Sequence, residues 1–138
     1  MSGLSALYPN ARQGFATGVL NWPALSVKAM LMDSNYTPNF SNVYLSDVTS
    51  ANIIATTADF TGLSAVNGYC TGNSAGFGVI DDEREAASLI FYQDTGTAST
   101  SLLLVYFDTP DLPGLPQVLD GLNYYVYQNL NYGGWFRL

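Results

Sequence analysis

Carboxylates are the only groups in this sequence plentiful enough to do chemistry. The chain has eleven acidic residues, four basic ones, no histidine and a single cysteine, Cys70. Without histidine, neither a Ser-His-Asp nor a Cys-His relay can be assembled, and His-based zinc or iron sites are excluded. Two carboxylates flanking a glycosidic bond can hydrolyse it with no other residue type, and Asp94 and Asp108, each ending one of two neighbouring strands, are the pair the spacing offers. A general acid needs its pKa raised by a defined apolar setting. Almost any β-protein this acidic offers some such pair, so no enzyme activity is expected.

The stretch Asp81-Asp82-Glu83-Arg84-Glu85 could present oxygen ligands to calcium, but it lacks the alternating spacing and the glycine of an EF-hand loop. Its expected state is a solvated acidic turn. Gly72-Asn73-Ser74-Ala75-Gly76 lacks the lysine and following helix of a phosphate loop and reads as a turn. One cysteine allows no intrachain disulfide and no multi-cysteine metal site, so Cys70 is expected to be a small buried apolar residue. No catalytic residue, metal or cofactor is expected.

Aromatic residues are the second chemical resource. Tyr124, Tyr125, Tyr127, Tyr132, Trp135 and Phe136 crowd the last part of the chain. Strand alternation sets Tyr125 and Tyr127 opposite Tyr124 and Val126, so one face is expected to be partly exposed. Tyrosine buries apolar area while keeping a hydrogen-bonding tip, and it also stacks on sugars. Tyr124, Tyr125, Tyr127, Tyr132 and Trp135 therefore form a candidate interface, with a subunit contact, a glycan site and a Tyr-rich core as the three readings.

The composition limits the partners. A net charge of −7 repels phosphate and anionic lipid, which argues against nucleic-acid or membrane binding. No run approaches the roughly 20 apolar residues of a membrane span, and the first residues lack the basic start and apolar stretch of a secretory signal. A soluble protein made in the cytoplasm is expected. Hydrophobic residues make up 48% and charged residues only 11% of the chain, against roughly 25% charged in a typical domain. A surface of Asn, Ser, Thr, Gly and Tyr can be covered by a partner without the desolvation cost of Lys or Glu.

The elements that must position these residues are mostly strands. One domain spanning 1–138 is expected, beginning with one short helix within 4–18: Leu4, Leu7, Tyr8, Ala11 and Phe15 recur at helical spacing, Ser5 is a candidate cap and Pro9 falls in the first turn. From Ala24 the period becomes two, predicting a half-buried strand with Leu25, Val27, Ala29 and Leu31 on one side. Short strands are predicted at Val43 to Leu45, Asn52 to Thr56, Ser64 to Cys70 and Gly76 to Ile80. Ser88 to Gln93 and Ser101 to Phe107 are stronger; the latter is apolar on both faces and reads as a central strand. The polar run Asp94 to Thr100 between them predicts an antiparallel hairpin. Pro110, Pro113 and Pro116 exclude a regular ladder, and strands resume at Leu122 to Gln128 and Trp135 to Leu138. The expected fold is all-β, an antiparallel β-sandwich of jelly-roll or Ig-like type with one N-terminal helix.

Several segments resemble a family of small virion structural proteins of tailed bacteriophages, decoration and minor structural proteins among them. The resemblance begins with Leu7-Tyr8 and Gly14-Phe15, continues through Asn21-Trp22, Val27-Lys28-Ala29, Tyr36-Thr37 and Leu45-Ser46-Asp47-Val48, and is strongest over the strand, loop and return strand from Leu89 to Leu102. Phe107-Asp108-Thr109, Gly114-Leu115-Pro116 and Trp135-Phe136-Arg137-Leu138 agree as well, whereas Asp81 to Glu85 and the Tyr-rich strand depart from the pattern. The resemblance implies a non-catalytic place in a virion assembled in the bacterial cytoplasm. A capsid decoration (cement) protein is the leading expectation, with the major capsid protein and further copies of itself, as a trimer, for partners. A tail or tail-tip fibre-attachment protein contacting tail proteins, and a glycan-binding module, are the alternatives.

Overall fold

A computed structural model describes residues 5–112, 114–126 and 134–138. Its architecture is all-β and antiparallel, with a single short α-helix among the described residues. Strands β1 (Ala6–Leu7), β2 (Val27–Asp33), β3 (Ile53–Thr56), β7 (Glu85–Gln93) and β8 (Leu103–Phe107) form the main sheet in the order β1-β8-β7-β2-β3, and β9 (Gln117–Val118) pairs with the start of β7. A smaller sheet holds β4 (Ser64–Val66), β5 (Tyr69–Thr71) and β11 (Phe136–Arg137), while β6 (Ala75–Val79) and β10 (Asn123–Val126) make a ribbon.

The apolar strands β2, β7 and β8 are covered on both faces, which is why their sequences do not alternate cleanly. Register puts Ala29, Phe91, Val105 and Leu7 on one face, and Met30, Ile90, Tyr106 and Ala6 on the other. The first face meets an aromatic wall in which Phe91 packs on Phe60 at 5.0 Å, on Phe107 at 4.9 Å and on Trp135 at 5.3 Å between ring centroids. Over the second face, Tyr36 and Phe40 from the loop after β2 approach Tyr106 at 6.4 and 6.1 Å. Layers of strand and loop thus sandwich the main sheet.

The β7–β8 hairpin forms as the alternation predicts, pairing Leu89 with Phe107 and Phe91 with Val105. Its loop closes on its own hydroxyls: Thr95 N–H donates to Ser101 Oγ at 3.1 Å, and Ser101 Oγ donates to the Thr97 carbonyl at 2.9 Å. Strand β2 departs from the expected half-buried strand, because Met30 and Met32 are as buried as Ala29 and Leu31. The loop with Tyr36 and Phe40 covers the side that local periodicity assigns to solvent.

Other boundaries also shift. The helix α1 runs Pro9–Thr17, and Ala6–Leu7 are strand. Proline has no N–H to donate and a φ suited to the first helical position, so Pro9 starts the helix; Ser5, the expected cap, instead accepts the Asp108 N–H at 2.7 Å. Gly18 ends α1 in the left-handed conformation at φ 78°. Ser64 to Cys70, expected as one strand, is a hairpin of β4 and β5 turning at Asn67 and Gly68, both with positive φ, the usual chemistry of a two-residue turn. Val43 to Leu45 forms no strand, only a bridge from Tyr44 to Leu102 beside a 3-10 turn at Leu45–Asp47. The charged stretch ends inside β7, which begins at Glu85, and β9 follows Pro116 directly.

Candidate functional site

The two candidate carboxylates of the hairpin do not meet. In an antiparallel pair the residue ending the first strand lies beside the start of the second, so Asp94 sits near Leu102, whose carbonyl accepts the Gln93 N–H at 2.9 Å. Asp108 lies at the far end, where Thr109 Oγ1 donates to the Ala87 carbonyl. At about 3.3 Å per residue the strand between them sets a separation of roughly 20 Å, well beyond the ~5–9.5 Å that glycoside hydrolysis uses. Each aspartate has a local structural task. Asp94 accepts from Gly96 N–H at 3.0 Å and pairs with Lys28 Nζ at 3.0 Å, and these contacts, the backbone one first, hold its carboxyl below the usual range. Asp108 Oδ1 accepts the Thr109 N–H at 2.9 Å and caps a 3-10 turn.

The acidic stretch is only partly the solvated turn that its charge density predicts. Asp81 and Glu83 are exposed, but Arg84 draws its neighbours into a structural knot. Its Nε donates to Asp82 Oδ1 at 3.0 Å and Nη2 to Asp82 Oδ2 at 2.8 Å, while Nη1 donates to Asp33 Oδ2 at 3.0 Å. The same guanidinium reaches the carbonyls of Ala51 and of Ile53, the latter at 3.1 Å. Asp33, 4% exposed, also accepts from Asn52 Nδ2 at 2.9 Å and from the Asn35 N–H at 3.1 Å. One forked cation therefore joins the end of β2, the start of β3 and the approach to β7. Hydrogen bonding to Arg84 lowers the Asp82 pKa. No group of three or more His, Cys, Asp or Glu suited to a metal ion occurs among the described residues.

The candidate interface residues separate into two environments. Trp135, 5% exposed, is core: its ring lies 4.8 Å from Phe60 and 5.3 Å from Phe91 between centroids. This corrects its place in the candidate interface. Gly72 leaves the space it needs, since a Cβ there would stand 2.7 Å from the Trp135 ring. Trp22 Nε1 donates to the Thr71 carbonyl at 2.9 Å, whereas Trp135 Nε1 is buried with no hydrogen-bond partner among the described residues.

Tyr124 is half-buried against Phe77, and burial pushes its phenol up to about 12. Tyr125, 47% exposed, faces Gly76 across the β6–β10 ribbon, where the missing side chain lets the ring lie over bare backbone. The expected alternation therefore holds at Tyr124 and Tyr125. Tyr127 and Tyr132 lie outside the described residues. Cys70 is fully buried, and burial pushes its thiol up to about 12, which suits an inert packing residue.

Sequence reasoning missed a buried hydroxyl cluster under the loop after β2. Tyr8 and Tyr36 bring their buried hydroxyls together, and Ser88 Oγ lies beside Tyr106. Burial, then the neighbouring Tyr36, raises the Tyr8 pKa. The aromatic spacing offered no clue, because Tyr8 lies in a helix-like pattern and Tyr36 in a turn.

No protein-family model matches the chain, and no curated protein matches it either. Among the described residues no helix is long and apolar enough to cross a membrane.

Proposed function

We propose that this chain is a non-catalytic structural component of a tailed-phage virion, acting as a decoration protein that stabilises the head by binding the capsid lattice. The observation that carries the reading is the character of its exterior. Only 11% of residues are charged, and large apolar side chains stand open on it, Val79 at 76%, Val66 at 58% and Leu122 at 51% exposure. Surfaces that are neutral, wide and studded with apolar residues are suited to burial in a permanent assembly, where interface cores are depleted in charge. The resemblance of the segment from Leu89 to Leu102 supports the same place.

A virion place also agrees with the separation of Asp94 from Asp108 and with the structural tasks of both. The glycan-binding alternative loses one of its stacking residues, because Trp135 lies inside the core. Binding of the purified chain to particles of the encoding phage, depleted of this chain and followed by co-sedimentation, tests the reading. Saturable binding to heads is the expected result. Binding confined to tails would replace decoration by a tail role, and no binding to either would overturn the virion reading.

A further inference from the structure

Only four side chains in the protein are basic, and the structure divides them evenly. Lys28 pairs with Asp94 at 3.0 Å, and Arg84 pairs with Asp33 and Asp82 at 3.0 and 2.8 Å. Arg12 and Arg137 have no acidic partner among the described residues, and both are exposed. They nevertheless lie together, on the rim of one open groove of about 400 Å³ whose other walls are Leu7, Phe15, Ala16 and Leu138. The groove continues along α1 past Pro9 and Gln13. Arg137 is steadied by the Tyr69 ring, with its guanidinium carbon 5.3 Å from the centroid.

An apolar groove rimmed by two guanidiniums that have no acidic partner among the described residues fits an apolar ridge edged with carboxylates. This chain carries such a ridge, built by β6, β9 and the turn before β10. Ile80 N–H donates to the Leu122 carbonyl at 2.8 Å and Gly121 N–H to the Ile80 carbonyl at 2.7 Å, so the segments at 79–85 and 118–122 are adjacent. Val118 lies opposite Glu85. Val79, Val118 and Leu122 are 76%, 48% and 51% exposed, and Asp81, Glu83, Glu85 and Asp120 are exposed beside them.

We propose that the Arg12–Arg137 groove receives the Val79–Leu122 ridge of a second copy of this chain. Charge complementarity selects the partner: in a chain of net charge −7, copies repel one another except where this groove meets that ridge. Because groove and ridge are different surfaces, the contact is head-to-tail and closes into a ring or continues as a filament. The proposal concerns the isolated protein and does not depend on the virion reading.

Sedimentation velocity on the full chain, over a range of concentration and salt, tests it with two charge-reversed proteins. One carries Arg12→Glu and Arg137→Glu; the other carries Glu83→Lys and Asp120→Lys. Wild type should associate at low salt and weaken at least tenfold as salt rises from ~50 to ~500 mM, since exposed charges are screened. Each variant alone should be monomeric with an unchanged far-UV circular dichroism spectrum, and an equimolar mixture should associate again, because mixing restores both complementary contacts. The proposal is overturned by wild type that stays monomeric throughout, or by association indifferent to both reversals. A variant that fails to fold is replaced by Val79→Lys, which sets a cation against the guanidiniums and should block association while leaving the groove intact, and association surviving that change overturns it equally. Capsid binding by a wild-type monomer would leave the virion reading standing while this inference fails.

Discussion

Replacing Trp135 separates a core residue from an interface residue by energy alone. The indole is 5% exposed and contacts the rings of Phe60, Phe91 and Trp22, with centroids at 4.8, 5.3 and 6.1 Å. Removing a buried tryptophan to alanine costs about 3–5 kcal/mol through lost transfer energy and the cavity left behind. The indole Nε1, however, is buried without a partner among the described residues, a state that costs about 1–3 kcal/mol and is relieved by the same substitution. Trp135→Ala should therefore destabilise by about 2 kcal/mol. Trp135→Phe keeps an aromatic ring against Phe60 and Phe91 and also removes the orphan donor, so its cost should stay below about 1 kcal/mol. Urea denaturation followed by far-UV circular dichroism reads both, the midpoint shifting while the m-value holds. A Trp135→Ala cost under about 1 kcal/mol at unchanged m would refute the placement, and a Phe variant as damaged as the Ala variant would refute the argument from the orphan N–H.

Asp33→Asn should cost about 2–3 kcal/mol in the same assay, because it removes the charged acceptor that Arg84 and Asn52 share at a buried site, whereas the exposed Glu83→Gln should stay within about 0.5 kcal/mol. Equal effects at the two positions would dissolve the knot. Leu104→Asp places a charge at a fully buried position of β8 and should abolish folding, since the cost of several kcal/mol approaches a whole domain's stability of about 5–15; a folded, soluble variant would contradict the strand's position. Asp47, Asp82 and Asp94 are all held below the ordinary aspartate value, mainly by backbone N–H groups of Tyr44 and Gly96 at Asp47 and Asp94 and by Arg84 at Asp82. Such groups contribute stability that is complete above the unfolded value of about 3.9 and is lost as pH falls through their lower folded values, so the thermal midpoint should drop below about pH 4. Asp94→Asn should flatten that acid limb, and an unchanged limb would show that Asp94 is not linked to folding.

The hairpin from Ser88 to Phe107 was legible because both of its signals are local: apolar runs long enough for strands, and a polar loop between them. The N-terminal helix was legible in kind, but its spacing pattern ran on through Leu7 and Tyr8, which the fold uses as strand and cap; Pro9 marked the true start. The turn at Asn67-Gly68 carried a strong local signal that the reading of one continuous strand passed over. Other features needed tertiary information. Met30 and Met32 are buried by a loop that alternation cannot foresee, and Arg84 finds Asp33 across 51 positions. Trp135 and Tyr125 look alike as aromatic residues near the chain's end, yet one fills the gap above Gly72 while the other covers Gly76 from outside. Asp94 and Asp108 were offered as a pair because each ends one of two neighbouring strands, yet antiparallel strands end at opposite edges, so the hairpin itself keeps them apart.

The central proposal is that this chain is a repeated structural part of a virion. Its copy number relative to the major capsid protein, measured by quantitative mass spectrometry of purified virions of the encoding phage, tests that most directly. A decoration lattice predicts a ratio of one or a simple fraction of it. Complete absence from purified particles would contradict the account.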